Sequence, residues 1–411
     1  MKIYLVGGAV RDKLLNLPIK DQDWVVTGAT PKSMESLGYK PVGKDFPVFL
    51  HPDTNEEYAL ARTERKTSKG YHGFAFNASP EVTLKEDLLR RDLTINAIAE
   101  DENGKLYDYY GGREDLDNKI LRHVSTAFAE DPVRILRVAR FASRYAGLGF
   151  TIAEETMQLM REMVAAGEVD ALVAERVWQE TERALGEKHP EVYFTTLREC
   201  GALKVLFPDV DRLFGVPQVA KWHPEIDTGI HTMMVLHQAT LLSDDPEVRF
   251  AALTHDLGKG TTPADILPSH HGHEDRSYDL VIKLCKQYRI PKRFTDLAKL
   301  TAKYHTHIHM AFDIKAKTML KVLTACDIYR KPERFTQMLL ACKADSRGRT
   351  GFEENTYEQL ECYEEAADIC RAVEVKDIIA KGFSGPHIKE ELHKQRLSLL
   401  KPFLKAQTGT R

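Results

Sequence analysis

The sequence predicts an α/β N-terminal head, a mixed sheet plus helices, followed by an all-α remainder. Three patterns lead there. Short strand-like runs (Ile3–Val6, Trp24–Val26, Val48–Leu50, Tyr58–Ala61) alternate with the turn signals Gly7-Gly8, Asn103-Gly104 and Gly111-Gly112. From Ala129 onward the period changes: Ile135, Leu136, Ala139 and Ala142 recur at helical steps, and the rest of the chain keeps that character. Finally, ten of the 16 histidines fall between His223 and His309, far more than an even spread would put there. That segment has its own chemistry. A length of 411 residues fits about two to four domains.

Composition narrows the class. With 43% hydrophobic and 29% charged residues the chain reads as an ordinary globular protein able to bury a core in either half. It lacks a run of about 18 apolar residues, the length needed to span a membrane, and has no signal-peptide pattern. Six scattered cysteines without a C-x-x-C pair read as reduced thiols in a cytoplasmic protein. The net charge of −3 excludes a polycation, so a nucleic acid must be met by local basic patches. Two such patches are Arg62, Arg65, Lys66 and Lys69, and Arg134, Arg137, Arg140 and Arg144.

Along the head, a strand into Val6, a Gly7-Gly8 turn and a short helix from Ala9 to Leu15 form the first unit. A glycine turn frees backbone N–H groups, and the helix start adds partial positive charge, which suits a polyphosphate. Arg11 on that helix can add a bidentate contact. Asp21 and Asp23 flank one residue of a strand running into Trp24-Val25-Val26, so both carboxylates point one way and repel unless a cation sits between them. Oxygen ligands suit magnesium. A third carboxylate is expected from a neighbouring strand: Glu57, with Glu56 and Glu64 as alternatives. Arg62 to Phe76 reads as a mobile basic loop that organises nucleotide or RNA. Arg90 to Ile98 alternates charged and apolar residues at helical spacing, with Leu88, Leu89, Ile95 and Ile98 able to face the core and Arg91 to face phosphates. Asp108 to Leu116 reads as a glycine turn into an acidic helix start. After Asp131-Pro132, the four arginines 134, 137, 140 and 144 form one stripe. Like charges at this spacing repel by about 0.2–0.5 kcal/mol each, so the stripe reads as a wall for an anion.

In order along the chain stand Gly7-Gly8-Ala9-Val10-Arg11-Asp12, Asp21-Gln22-Asp23, Arg90-Arg91-Asp92-Leu93-Thr94-Ile95-Asn96-Ala97, Asp108-Tyr109-Tyr110-Gly111-Gly112 and Glu130-Asp131-Pro132-Val133-Arg134-Ile135-Leu136-Arg137. Together they resemble the motifs of class II tRNA nucleotidyltransferases and bacterial poly(A) polymerases, of the DNA polymerase β superfamily, over residues 1–225. The resemblance implies a polymerase-β-like nucleotidyltransferase head (1–128) and a helical neck and body (129–225). It implies that Asp21 and Asp23 are catalytic and hold Mg2+. Gly8, Arg11, Arg91, Arg137 and Arg140 would contact the incoming CTP or ATP, and Asp131 and Arg134 would read the base edge. The implied reaction is template-independent addition of CCA to the 3′ end of tRNA, the terminal hydroxyl attacking the α-phosphate and releasing pyrophosphate.

A second constellation follows. His255-Asp256 ends an apolar helix, with His231 upstream and His273 and His305 downstream. Imidazole and carboxylate ligands together suit a transition metal such as Ni2+, Mn2+ or Co2+. The order His231, His255-Asp256 and a distant aspartate resembles the HD phosphohydrolase superfamily over residues 226–330, leaving a helical tail at 331–411. The distant aspartate is Asp327 or Asp345, with Asp327 preferred; Lys259, His273 and His305 are further candidates, and His270, His271, His307 and His309 read as surface histidines. The resemblance implies metal-dependent hydrolysis of 2′,3′-cyclic phosphates, 2′-nucleotides and phosphate esters, which would restore a usable 3′-hydroxyl on damaged tRNA. Alternatives are a poly(A) polymerase, a CC-adding enzyme, or an inactive RNA-binding head serving the hydrolase. Asp209 to Asp227, broken by Gly215, Pro217 and Pro224, is the expected linker. The expected partners are tRNA, CTP and ATP, no membrane, with the chain as a monomer or homodimer.

Overall fold

In the computed structural model the chain is described over residues 1–19, 21–42, 47–66 and 74–409, with the side chains of 64–77 and 408–409 outside the described part. It divides into two compact units, Met1–Leu206 and Phe207–Arg411.

The first unit is built on a seven-stranded mixed sheet. Its strands are β1 (Lys2–Val6), β2 (Asp23–Thr27), β3 (Lys40–Val42), β4 (Val48–Leu50), β5 (Glu57–Leu60), β8 (Ile98–Asp101) and β9 (Leu106–Asp108), while β6 (Thr63–Lys66) and β7 (Phe74–Asn77) form a separate hairpin. The order is β3-β4-β5-β2-β1-β8-β9. Every pair is antiparallel except β2 with β5, which is parallel. Alternation along β2 sends Val25 into one core cluster with Tyr4, Val6 and Leu88, and Val26 into another with Met34, Phe49 and Leu60. The sheet is thus covered on both faces, and the ends of β1 and β2 carry the Gly7-Gly8 turn and Asp23. The four expected strands and the short helix (Gly8–Leu14) are present within a residue or two.

Arg90 to Ile98 is not a helix. The helix Leu84–Leu89, opened by a Thr83–Glu86 capping box, ends there, a single 3-10 turn covers Thr94–Asn96, and β8 starts at Ile98. The cause is Asp92: its Oδ1 accepts from its neighbour Leu93 N at 2.8 Å and from Asn96 Nδ2 at 2.9 Å, a local pattern that competes with helix bonds. Leu88, Ile95 and Ile98 are buried as expected, but Leu89 is exposed.

Beyond the sheet the first unit is mostly helical. Pro132 sits at the start of the helix Val133–Tyr145, where its missing N–H costs nothing. This arginine helix packs on the helices Ala174–Leu185 and Pro190–Glu199.

The second unit is all-α. Helices Thr228–Leu242, Pro246–Thr254, Lys292–His309 and Pro332–Arg347 pack on one another, and His273–Gln287 packs on Lys292–His309. Asp227 caps the first, accepting from Ile230 N at 2.9 Å. The expected linker, Asp209 to Asp227, instead lies within the second unit, which begins at Phe207, and holds a buried Gln218. Gly258 lets the turn after His255-Asp256 press against the start of His273–Gln287. A Cβ there would lie 2.2 Å from His273 O and 2.6 Å from Ser277 N, both backbone atoms. Gly258→Ala is expected to destabilise the second unit by about 1–3 kcal/mol. Thermal denaturation checks this; an unchanged melting temperature would show that the two elements can separate without cost.

Candidate nucleotide cleft and candidate metal centre

Gly7 takes φ +69°, a left-handed conformation, and a Cβ on it would meet Arg91 Nη1 at 2.9 Å. Glycine is therefore needed for the turn and for the close arginine. The turn opens into a cleft of about 460 Å³ whose lining has eight arginines (11, 90, 91, 134, 137, 140, 144, 176) against three aspartates (23, 92, 131). The surplus positive charge suits a polyphosphate.

Each arginine is fixed from behind. Arg11 donates to Asp12 at 2.9 Å and to Asn96 Oδ1, and its guanidinium lies 5.1 Å from the Phe141 ring centre. Buried Asp87 holds Arg90 at 2.9 Å and Arg91 at 3.4 Å. Arg137 pairs with Asp92 at 2.7 Å, Arg140 with Glu180 at 2.7 Å and Arg144 with Asp12 at 2.9 Å. Arg134 donates to Ala127 O and Arg90 O at 2.8 and 2.6 Å. The expected stripe is present, but Arg134 and Arg140 are only 8% exposed, so it is a braced wall rather than a solvated face. Burial raises the Asp92 pKa, yet Arg137 and the bonds from Asn96 and Leu93 outweigh it and hold the carboxyl below the usual range.

Asp23 starts β2 and lines the cleft; its register partner on parallel β5 is Glu57, and both are exposed. Asp21 is exposed two residues ahead, outside the strand. An all-oxygen set open to water fits a hard cation that keeps part of its hydration. Asp131 also lines the cleft, gripped by Arg176 through 3.2 and 2.8 Å bonds. Sequence reading missed Arg176, which lies 45 residues away with no local signal. Residues 67–73 of the expected basic loop lie outside the described residues, as does the Glu64 side chain.

In the second unit, His231, His255, Asp256, His305 and Asp345 converge, none more than 4% exposed. His231 Nε2 lies 3.1 Å from Asp345 Oδ1, and His255 Nε2 lies 3.1 Å from Asp256 Oδ2 and 3.6 Å from Asp345 Oδ2. His231 Nδ1 faces Gly348 O at 2.9 Å and His255 Nδ1 faces Ala252 O at 2.7 Å. A carbonyl only accepts, so each Nδ1 carries the proton and each Nε2 offers its lone pair inward. His255 Nε2 and Asp256 Oδ1 are buried without a hydrogen bond. Orphaned donor atoms turned toward one point fit a metal ion. Burial opposes charge on His255, but Asp256 and Asp345 outweigh it and raise its pKa to about 9, so an ion binding at Nε2 would displace a proton there. Lys259 bonds Asp256 Oδ2 at 2.6 Å and Gln218 at 2.7 Å.

Asp345, not Asp327, completes this cluster. Asp327 takes φ +55° just past a helix end and pairs with exposed Arg330. His309 is not a surface histidine: Tyr357 OH bonds its Nδ1 at 2.7 Å, and its Nε2 reaches Asp345 Oδ2 at 2.6 Å. Sequence reading also missed Glu225, whose Oε1 lies 3.0 Å from His231 Nδ1. Its signal was weak, one acid in a Pro- and Gly-broken stretch. The spacing His305-x-x-x-His309 puts both rings on one helix face and could have revealed His309.

Family models match in chain order: a Poly A polymerase head domain over residues 3–122, a probable RNA and SrmB-binding site of polymerase A over 149–214, and an HD domain over 228–339. A multifunctional CCA protein of Thioalkalivibrio sulfidiphilus (strain HL-EbGR7) is 63% identical over 409 residues, covering 100% of both chains. The chain belongs to the multifunctional CCA protein family. A second member, from Hahella chejuensis (strain KCTC 2396), is 56% identical over 98% of this chain and 96% of its own. The fold is shared with a CCA-adding enzyme from Bacillus stearothermophilus solved with CTP: TM-score 0.64, 24% identity, 100% of this chain and 94% of that one. It is shared too with a Thermotoga maritima CCA-adding enzyme complexed with tRNA: TM-score 0.62, 21% identity, 100% and 91%. Among the described residues no helix is long and apolar enough to cross a membrane, and all six cysteines are free and buried.

Asp92 is the tie that can be tested. Its folded pKa lies below an unfolded value near 3.9, so its stabilisation is complete above about pH 4 and fades as pH falls further. Asp92→Asn is expected to cost about 1–3 kcal/mol at pH 7. The melting-temperature gap to the wild type should narrow below pH 4; a gap that stays constant to pH 3 would remove the ion pair as its cause.

Proposed function

We propose that the chain adds and repairs the 3′-terminal CCA of tRNA from CTP and ATP in the N-terminal cleft, and hydrolyses RNA-end phosphates at a divalent-metal centre in the second unit. The observation that carries the first activity is the braced arginine wall that shares one cleft with Asp23, whose register partner on β5 is Glu57. Asp21 and Asp23 would hold Mg2+, with Glu57 the adjoining carboxylate. Bound there, Mg2+ would supply activation of the 3′-hydroxyl and neutralisation of the leaving pyrophosphate. The chain itself places and neutralises the triphosphate. The Gly7-Gly8 turn brings backbone close, and Arg11, Arg91, Arg137 and Arg140 present guanidinium groups already locked by Asp12, Asn96, Asp87, Asp92 and Glu180. Asp131 accepts from an exocyclic amine and Arg134 donates to a ring acceptor. C and A both offer that edge; U and G turn a carbonyl toward the carboxylate and are repelled.

In the second unit His231, His255, Asp256 and Asp345 would hold a transition metal such as Ni2+, Mn2+ or Co2+, which when bound polarises a phosphate and a water. Lys259 and Arg349 line the same pocket, of about 710 Å³, and give positive charge for a phosphate. Trp222 on its wall is 57% exposed. Its exposed indole, with Lys221 Nζ 4.6 Å from the ring centre, suits a nucleobase, which favours a nucleotide end with a 2′,3′-cyclic or 2′-phosphate over a simple ester.

Two results test this. With a trimmed tRNA, CTP, ATP and Mg2+, the wild type should yield ends finished in CCA on sequencing. Asp23→Ala should lose at least about 10²–10³-fold in addition while keeping phosphatase activity, and His255→Ala should do the reverse. Long A tails from ATP alone, or one variant abolishing both activities, would defeat the assignment. Separately, Trp222→Ala should raise KM about tenfold for 2′,3′-cyclic AMP and leave that for p-nitrophenyl phosphate unchanged; equal effects on both would remove the stacking role.

A further inference from the structure

Ile226 carries an unusual backbone. Its φ is +61°, and among the described residues it is the one β-branched side chain in the left-handed region. The side chain itself gains little there, being 48% exposed. Strain of this kind persists where the surrounding structure imposes it, and the residue that this turn places is the one before it, Glu225.

Glu225 turns inward, its side chain only 3% exposed. Its Oε1 lies 3.0 Å from His231 Nδ1 and 3.1 Å from His223 Nδ1, and its Oε2 accepts from Thr350 N at 3.4 Å. Both oxygens are therefore engaged, by partners from three stretches of chain: the turn itself, the helix Thr228–Leu242, and the segment just past Pro332–Arg347. A carboxylate that meets three N–H groups is held in its charged form. It cannot swing away without breaking all three contacts.

His231 is the ring on which this converges. Its side chain is 0% exposed, so no bulk water competes for either nitrogen. Nδ1 gives its hydrogen to Glu225 Oε1 and to Gly348 O, which lies at 2.9 Å, while Nε2 points to the Asp345 side of the centre at 3.1 Å. A carbonyl alone fixes the tautomer. A carboxylate does more: it draws the Nδ1 proton and pushes electron density toward Nε2, making the ring a stronger electron-pair donor to a cation. His255 is backed by the neutral carbonyl of Ala252 instead. The two imidazoles thus differ in what stands behind them.

We propose that Glu225 is a positioning residue of the metal centre, an anionic support that strengthens His231 as a ligand and aims its ring at the ion. The strained turn at Ile226 is what brings that charge indoors. His223, sharing Oε1 and lying edge-to-face on His231 with ring centres 4.6 Å apart, keeps the carboxylate and the ring in register.

This inference rests on the metal reading of His231, His255, Asp256 and Asp345, and the experiment separates the two. Full-length protein, with Mg2+ in excess to fill the oxygen-only carboxylates, is titrated with Co2+ and followed by calorimetry and visible absorption. The wild type should show a tight Co2+ step that His255→Ala loses. Glu225→Gln keeps the size of the side chain and removes its charge. It should raise the Kd for Co2+ about tenfold and shift the Co2+ absorption bands, while the metal-free protein keeps the wild-type circular dichroism and melting temperature. Glu225→Asp, which retains the charge, should recover part of the affinity. A role in packing alone predicts the reverse, a lowered melting temperature with unchanged bands and Kd. Wild-type Kd and bands in Glu225→Gln, or loss of its fold, would overturn the role of Glu225 and leave the centre standing. A tight Co2+ step that survives His255→Ala would bring down both.

Discussion

Cationic side chains can share one cleft only if each is neutralised from behind, and Asp92 shows how the first unit meets that constraint. Its carboxylate takes Leu93 N and Asn96 on one side and Arg137 on the other, joining the turn that carries Arg91 to the helix that carries the arginine stripe. Asp12 does the same between the glycine turn and the end of that helix, binding Arg11, Arg144 and Tyr145. Buried ion pairs add little net stability, because desolvation offsets their attraction. What they supply is position. A guanidinium held by a buried carboxylate cannot swing away when a triphosphate enters, so little reorganisation accompanies binding.

The second unit applies the same rule with signs exchanged. Asp256 and Asp345 are buried acids, and imidazoles and Lys259 answer them. Burial works against both charges, yet the surrounding His255, Lys259 and His309 hold the two carboxyls well below the ordinary range. They stay ionised, as metal ligands must. Backbone carbonyls then decide which nitrogen of each ring is free. His309 is the informative exception: with Tyr357 on its Nδ1, its Nε2 serves as a donor that steadies Asp345.

Much of this was legible in the chain because the chemistry is local. The Gly7-Gly8 turn into a helix and the stripe at 134, 137, 140 and 144 read directly from period and spacing, whereas of Asp21 and Asp23, expected on one strand, only Asp23 lies in β2. Failures arose where local and distant forces compete. Arg90 to Ile98 carries helical spacing, but the Asp92 side chain bonds its own neighbours and turns the backbone. Asp345 was readable in principle: Met338, Ala341, Cys342 and Asp345 recur at helical steps and all face the core. Arg176 and Glu180 were invisible, since each finds its partner at least 40 residues away.

On the proposed assignment, the donor sets would let one chain keep two metal chemistries apart. Asp21, Asp23 and Glu57 offer oxygen alone, exposed to water, so a small hard ion can keep part of its hydration there. The histidine centre is buried and rich in nitrogen, so it favours ions that accept imidazole and tolerate losing water. Neither set is a good host for the other's ion, and the separation needs no barrier between the two units. The reactions are complementary as well. Water opening a terminal 2′,3′-cyclic phosphate at its 3′ P–O bond would free the 3′-hydroxyl that nucleotide addition consumes and leave a 2′-phosphate, which a second hydrolysis would remove as inorganic phosphate. A chain carrying both centres can therefore act on a tRNA end whether it is merely short or chemically blocked, provided each centre keeps its own metal.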